Sequence, residues 1–212
     1  MNELKKYKYV IIGNSAGGIG AAEAIREKDR RSSMLMISEE PYHAYSRPMI
    51  SEYLSGKSSQ GKMLYRPANF YEEKAIQLML GKKAVQIDPD AHTLQLDSGE
   101  IIGWENLLLA TGGKAIIPKL SGIELSGVFN FITLNDSKTI LEYLDQKVKR
   151  AVVIGGGLIG VSVTEALIKR GIKVTIVEMK EHLLNTMLDE EASSLVESKL
   201  TDAGVDIVTG ET

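Results

Sequence analysis

The chain contains no cysteine in its 212 residues. That absence excludes structural disulfides, thiolate metal sites and cysteine-ligated iron–sulfur clusters within it. It also excludes a redox-active dithiol and a sulfenate-forming thiol. Histidine is scarce too: His43, His92 and His182 are scattered without ligand-like spacing, so no metal site is expected. No apolar run approaches the length of a membrane span, and Met1-Asn2-Glu3-Leu4-Lys5-Lys6 is not followed by a signal-type hydrophobic stretch. The net charge of -3 is spread over mixed signs without a basic block, which leaves nucleic-acid binding without compositional support. The expectation is a soluble cytoplasmic protein that binds neither nucleic acid nor membrane. With 43% hydrophobic residues, one or two cores can form, and two domains are the natural expectation.

What the chain does have is two glycine fingerprints, each held between an apolar run and a small-residue segment. The second reads Ala151-Val152-Val153-Ile154-Gly155-Gly156-Gly157-Leu158-Ile159-Gly160. A buried strand delivers the chain to a tight turn, which the first glycine permits. The second glycine lets backbone approach a pyrophosphate, and the third lets the helix pack closely on the strand. Free N–H groups at the helix start then face the phosphate anion. An amphipathic helix follows through Glu165–Arg170 and closes at Gly171, and the strand Ile172–Val177 ends at Glu178. That acid falls near the roughly 20-residue spacing of a ribose-binding carboxylate.

The first fingerprint reads Tyr9-Val10-Ile11-Ile12-Gly13-Asn14-Ser15-Ala16-Gly17-Gly18. Aligning Gly13 and Gly18 with the outer glycines places Ser15 at the middle position, where a small hydroxyl side chain narrows the approach but can donate to a phosphate oxygen. The strand Met34–Ser38 leads to Glu39 and Glu40. One such unit holds one nucleotide, and two on one chain point to electrons passing between two.

Between them, a loop-rich stretch runs through Tyr42–Pro48, with a helix around Met49–Leu54, a flexible turn over Gly56–Gly61, a helix over Pro67–Lys74 and a strand over Ile76–Leu80. Lys83–Asp88 and Thr93–Leu96 alternate like hairpin strands, a reversal precedes Ile101-Ile102, and Asn106–Ala110 reads as a buried strand ending at Thr111-Gly112-Gly113. Pro118–Gly127 reads as a crossover loop, Asp136–Gln146 and Asp189–Ala203 as helices, and Val205–Val208 as a last strand.

This order of motifs (fingerprint, Glu39, the Tyr45-Ser46-Arg47-Pro48 loop, the Ala110-Thr111-Gly112 strand end, second fingerprint) resembles the FAD-dependent pyridine nucleotide-disulfide oxidoreductase superfamily. Within it the likeness is to NADH:rubredoxin reductases, the flavin part of nitrite reductase large subunits and NADH oxidases. The resemblance implies an α/β fold of two Rossmann-like domains with parallel sheets. An FAD domain would span 1–113 with a small antiparallel β insertion, and an NAD(H) domain, incomplete at its C-terminal end, would span 114–212. It places FAD on Gly13, Ser15, Ala16, Gly17 and Gly18, its ribose at Glu39 and Glu40, and Arg47 and Pro48 beside flavin and pyrophosphate. Ala84 and Val85 would meet the adenine, and Ala110, Thr111 and Gly112 would pass near the cofactor. NAD would lie on Gly155, Gly157, Leu158, Ile159 and Gly160, with Glu178 on the ribose. A carboxylate there repels a 2′-phosphate, so NADH is favoured over NADPH; Lys180, two residues on, would soften that preference, although a solvated lysine reads more simply. Glu165 sits where relatives can carry an acid near the nicotinamide, although a helix-face glutamate reads more simply.

The departures carry information. The disulfide branch needs a cysteine pair and the peroxidase branch one cysteine in the Tyr42–Pro48 loop; both are excluded. Glu52 stands near the position where relatives often carry a flavin-contacting lysine. The expected activity is hydride transfer from NADH to FAD, then electrons to an electron-carrier protein, a partner subunit or oxygen. No catalytic acid or base is assigned. A missing C-terminal segment or subunit is an expected partner, and a homodimer is possible. The alternative is a nucleotide-binding fragment or regulatory module without turnover.

Overall fold

The structure, a computed structural model, describes residues 4–145 and 147–210. In chain order the first elements are β1 (Lys5–Ile12), α1 (Ala16–Lys28), β2 (Met34–Ser38), a 3-10 turn at Arg47–Met49, α2 (Ile50–Ser55), a second 3-10 turn at Gln60–Met63, and α3 (Phe70–Glu73). β3 (Gln77–Leu80), β4 (Ala84–Asp88), β5 (Thr93–Leu96) and β6 (Ile101–Leu109) follow. α4 (Leu134–Leu144), β7 (Arg150–Ile154), α5 (Leu158–Lys169), β8 (Lys173–Glu178), α6 (Glu190–Asp202) and β9 (Asp206–Thr209) complete the order. The α/β alternation is the one expected. Gln146, expected as the last residue of a helix from Asp136, lies outside the described residues.

Two compact units part between Gly113 and Lys114, but Arg47–Gln60, assigned above to the first domain, belongs to the second. The reason is hydrophobic: Leu54 is fully buried in the core of the second unit, and Ile50 turns its carbonyl to the buried Ser137 hydroxyl of α4.

In the first unit the sheet order is β3-β2-β1-β6-β5-β4. β3, β2, β1 and β6 run parallel, and β5 and β4 return antiparallel, so the insertion is an extension of the same sheet. Both faces of the parallel part are apolar, as a covered parallel sheet requires. Val10, Ile12, Leu35 and Ile37 pack with Leu94, Leu96 and Trp104 on one face; Ile11, Met34 and Met36 pack with Ile19, Ala22 and Phe70 on the other. Two expectations are corrected. Ile101-Ile102 and Asn106–Ala110 are not separate strands: β6 is continuous, pairing with β1 along its length and with β5 only at its start. Its end is not buried either, because Leu109 is 58% exposed. The helix expected over Pro67–Lys74 shortens to α3, since Ala75 adopts a φ of 49°, which ends helical propagation.

In the second unit β7, β8 and β9 form a parallel sheet, and Val153, Val174 and Ile176 pack with Val163, Leu167 and Leu200 of the crossover helices. α4 begins with a capping box in which Thr133 and Asp136 exchange side-chain-to-backbone hydrogen bonds. The C-terminal ends of α2, α4 and α5 converge on an open cleft of about 440 Å³ lined by Lys147, Lys149, Lys169 and Arg170. Arg170 Nε donates to the Leu54 carbonyl in the last turn of α2. Three helix C-termini carry partial negative charge, which these cations offset, so the cleft reads as structural.

Arg26, 6% exposed, fastens the first unit through backbone carbonyls. Its guanidinium donates to the carbonyls of Lys74 (2.6 Å), Asp29 (3.0 Å) and Ala75 (2.9 Å), the ends of α3 and α1. Replacing it strands three carbonyls, so Arg26→Met is expected to lower stability by about 3 kcal/mol in urea unfolding. A loss below about 1 kcal/mol, the worth of an ordinary hydrogen bond, contradicts that assignment.

Candidate functional site

Each unit carries one turn between a parallel strand and a helix, and the two turns match residue by residue. Gly13 and Gly155 have φ of 120° and 101°, values that L side chains rarely adopt. A Cβ on Gly13 would overlap the Ala110 carbonyl oxygen. At Gly18 a Cβ would overlap the carbonyl oxygen of Gly13, and at Gly160 that of Gly155. The outer glycines are therefore steric necessities. The middle position, Ser15 or Gly157, is the helix N-cap, with extended backbone in both copies.

Those N-caps are open. Neither α1 nor α5 has a side-chain cap or an acid in its first turn. α4 and α6 have both. Nothing lies within 4 Å of the place a Cβ on Gly157 would take. Two uncapped helix starts, each with the dipole aimed at a free space beside a glycine turn, fit the pyrophosphate of a nucleotide. In the first unit the parallel strands β1, β2 and β6 bring Gly13, Glu39, Glu40 and Ala110 to their common C-terminal edge, with β1 flanked by β2 and β6, as at a topological switch point.

The acids differ. Glu178 is 8% exposed, and its carboxylate accepts from the amides of Gly156 (2.6 Å) and Lys180 (2.8 Å). Two of its roughly four lone-pair sites are thereby used, and the others remain for a ligand. Glu39 has a side chain 62% exposed and pairs with Lys83 Nζ at 2.8 Å. That carboxylate raises the Lys83 ammonium above its ordinary value through their hydrogen bond. Glu40 accepts from the Tyr45 hydroxyl at 2.6 Å.

Other expected residues scatter more. Val85 occupies a register irregularity between Ala84 and Gln86 and is 55% exposed, so a bulge turns it away from the ladder. Ala110 donates its amide to the Ile12 carbonyl and lies against the Gly13 turn, and Gly112 adopts a φ of 71°. Arg47 and Pro48 fall in the second unit, where Arg47 Nη1 donates to the Ile132 carbonyl at 3.2 Å. Leu158 and Ile159 are exposed at the start of α5. Glu165 pairs with Lys169 at 3.5 Å along the same helix.

Sequence reasoning missed the anchors of both turns. Gly156 donates to Glu178 and accepts from the Leu184 amide, and a Cβ on it would overlap the buried Leu183. The three-glycine run was the available signal, because the fingerprint leaves Gly156 unexplained. At the matching position Asn14 sends its side chain to Tyr42 and Tyr71. Among the described residues no group of three His, Asp or Glu could hold a metal ion, and no helix is long and apolar enough to cross a membrane.

Residues 7–212 match the family described as Pyridine nucleotide-disulphide oxidoreductase. Among curated relatives, the chain is 32% identical over 203 residues to the epsilon subunit of NADH-dependent phenylglyoxylate dehydrogenase of Aromatoleum evansii, covering 96% of this chain and 48% of that one. It is 31% identical to the ferredoxin reductase component of chlorobenzene dioxygenase of Cupriavidus sp. (strain PS12), covering 94% and 48%. Among solved structures, NADH:rubredoxin oxidoreductase from Clostridium acetobutylicum superposes with a TM-score of 0.87 at 29% identity, covering 98% of this chain and 54% of that one. The chain thus spans about half the length of these relatives.

The glycine geometry separates substitutions sharply. Gly18→Ala and Gly160→Ala drive a methyl into backbone and are expected to cost at least about 2 kcal/mol each. Gly157→Ala meets open space and is expected to melt within about 2 °C of the parent, since its backbone is already extended. Circular dichroism melts read both, and equal losses at Gly157 and Gly160 contradict the assignment.

Proposed function

The chain belongs to the pyridine nucleotide-disulphide oxidoreductase family, and on that premise we propose that it serves an NADH-dependent flavoprotein reductase, with FAD on the first turn and NADH on the second. FAD and NAD(H) are the cofactors of that family. The observation that carries the reading is the pair of matched, uncapped phosphate turns on one chain.

In this reading Gly13, Ser15, Ala16, Gly17 and Gly18 hold the FAD pyrophosphate, with the Ser15 hydroxyl as an added donor and Glu39 and Glu40 on the ribose side. Ala84, Val85 and Ala110 to Gly112 complete the FAD set within the first unit. Gly155, Gly157, Leu158, Ile159 and Gly160 hold the pyrophosphate of NADH. Glu178 accepts from the adenosine ribose and repels a 2′-phosphate, because like charges at hydrogen-bond range are costly wherever water is partly excluded. Bound flavin supplies an acceptor for the hydride and a donor of electrons to a second substrate. The protein's own part is orientation and electrostatics, which suits a chain without cysteine and without an assigned acid or base.

In this reading the electrons leave to an external acceptor. An electron-carrier protein is the favoured class: two of the relatives are named as a ferredoxin reductase component and a rubredoxin oxidoreductase. A partner subunit or oxygen is the alternative outcome of the assay. The location that goes with this reading is the cytoplasm.

Anaerobic addition of NADH to the FAD-reconstituted chain is expected to bleach the flavin's visible band, with NADPH requiring about tenfold more, or about 1.4 kcal/mol. Glu178→Gln is expected to weaken NADH about tenfold and to remove most of the discrimination, since one backbone amide then faces an NH2 group. A chain that takes up no FAD, or stays coloured under NADH, overturns the proposal.

A further inference from the structure

Both phosphate turns are tied to the segment beyond the second strand of their unit, through the residue after the first glycine. In the second unit Gly156 makes the tie with its main chain alone: its amide donates to the Glu178 carboxylate and its carbonyl accepts from the Leu184 amide. In the first unit the tie is a side chain. Asn14 Nδ2 donates to the Tyr42 carbonyl at 3.1 Å, the Tyr71 hydroxyl donates to Asn14 Oδ1 at 2.7 Å, and the Ala44 amide donates to the Tyr71 oxygen at 3.0 Å.

Every hydrogen in this chain of bonds has a forced direction. A backbone carbonyl only accepts, so the Asn14 NH2 faces Tyr42 and its oxygen faces Tyr71. The Ala44 N–H only donates, so the Tyr71 hydroxyl uses its lone pair there and its proton toward Asn14. Tyr71 is 7% exposed and Ala44 2%, and burial pushes the Tyr71 phenol up, which keeps its proton in place. The ring is wedged among Phe70 and His43, with centroids at 5.3 Å and 5.0 Å. The far side of the segment is also fixed: the Tyr65 and Ser46 amides donate to the carbonyls of Ala44 and Met63. The Asn14 amide serves as donor at one end and acceptor at the other.

Resting on the reading of the first turn as the FAD site, we propose that Asn14 and Tyr71 are positioning residues for that site: the relay holds the phosphate turn in its binding geometry against the Tyr42–Ser46 segment. Neither residue touches the cofactor in this account. They act by removing the freedom of the turn before the ligand arrives, so that its amides converge without further ordering.

Tyr71→Phe keeps the wedged ring and deletes only the hydroxyl. It is expected to raise the FAD dissociation constant about tenfold and to leave NADH binding at the second turn within about twofold. In the ligand-free protein it is expected to speed hydrogen exchange at the Ala44 amide. Asn14→Asp keeps the shape but loses the donor to Tyr42 at neutral pH, so FAD binding is expected to fall about tenfold at about pH 7 and to recover partly toward about pH 4, where a protonated carboxyl regains a donor. His43, Glu40 and Tyr71 surround the segment in both proteins, so the parent profile is the baseline. Variants that bind FAD within about twofold of the parent, or an Asn14→Asp loss that ignores pH, overturn the relay. A parent chain that binds no FAD overturns the site reading itself and the relay with it, and that outcome is distinct because it appears before any substitution.

Discussion

The structure of both sites depends on one steric contact, the approach of a helix to the carbonyl oxygen of the glycine that opens the turn. Gly18 meets Gly13 in this way and Gly160 meets Gly155, and a Cβ added at either would also lie 3.4 Å from a core side chain, Ile11 Cγ2 or Val153 Cγ1. Without a Cβ at that point the helix axis drops onto the strand end, and its first amides aim past the turn into open space. With a Cβ the helix lifts, and the donors lose their common focus. The absence of caps and acids at α1 and α5 suits the proposed anion sites, because a cap or carboxylate would take the donors an anion needs.

That contact fixes the helix but not the turn, and the two units solve the remaining problem differently. In the second, Gly156 has no side chain because Leu183 occupies the place, so the tie is made by main-chain groups to Glu178 and Leu184. Glu178 is then both a wall of the turn and the acid beside it. In the first, Asn14 carries the tie on its side chain, and the acids Glu39 and Glu40 are left for Lys83 and Tyr45. Equivalent positions in two similar turns therefore hold a glycine and an asparagine for the same mechanical reason.

What was legible in the sequence was what sterics and periodicity write locally. The outer glycines, the strands beside them, the acids Glu39 and Glu178, and the β4–β5 hairpin all follow from spacing within a few residues to a few tens of residues. What was hidden depends on distant partners. Nothing near Leu54 announces that it fills the core of the second unit, and nothing near Tyr71 announces Asn14, which lies 57 residues away. The apolar run Val152-Val153-Ile154 promised a strand covered on both faces, yet Val153 is buried while Val152 and Ile154 are 65% and 64% exposed. Composition gives the tendency of a strand to be covered and says nothing of whether both covers lie within the chain.

The two acids differ in readiness, and that difference orders the sites. Glu178 is buried and held by two backbone donors, so its remaining lone pairs point in a fixed direction before a ribose arrives. Glu39 stands largely in water and is committed to Lys83, an exposed lysine. An exposed ion pair is worth little, because solvent already screens both charges and two long side chains give up their freedom to hold it. In the proposed reading a ribose hydroxyl at Glu39 displaces or shares Lys83 at small cost, whereas Glu178 keeps lone pairs beyond its two backbone donors. The second turn is held through its acid; the first has a loosely held acid and, on the proposal above, draws its order from the half-buried Asn14 amide and the buried Tyr71 phenol behind the turn.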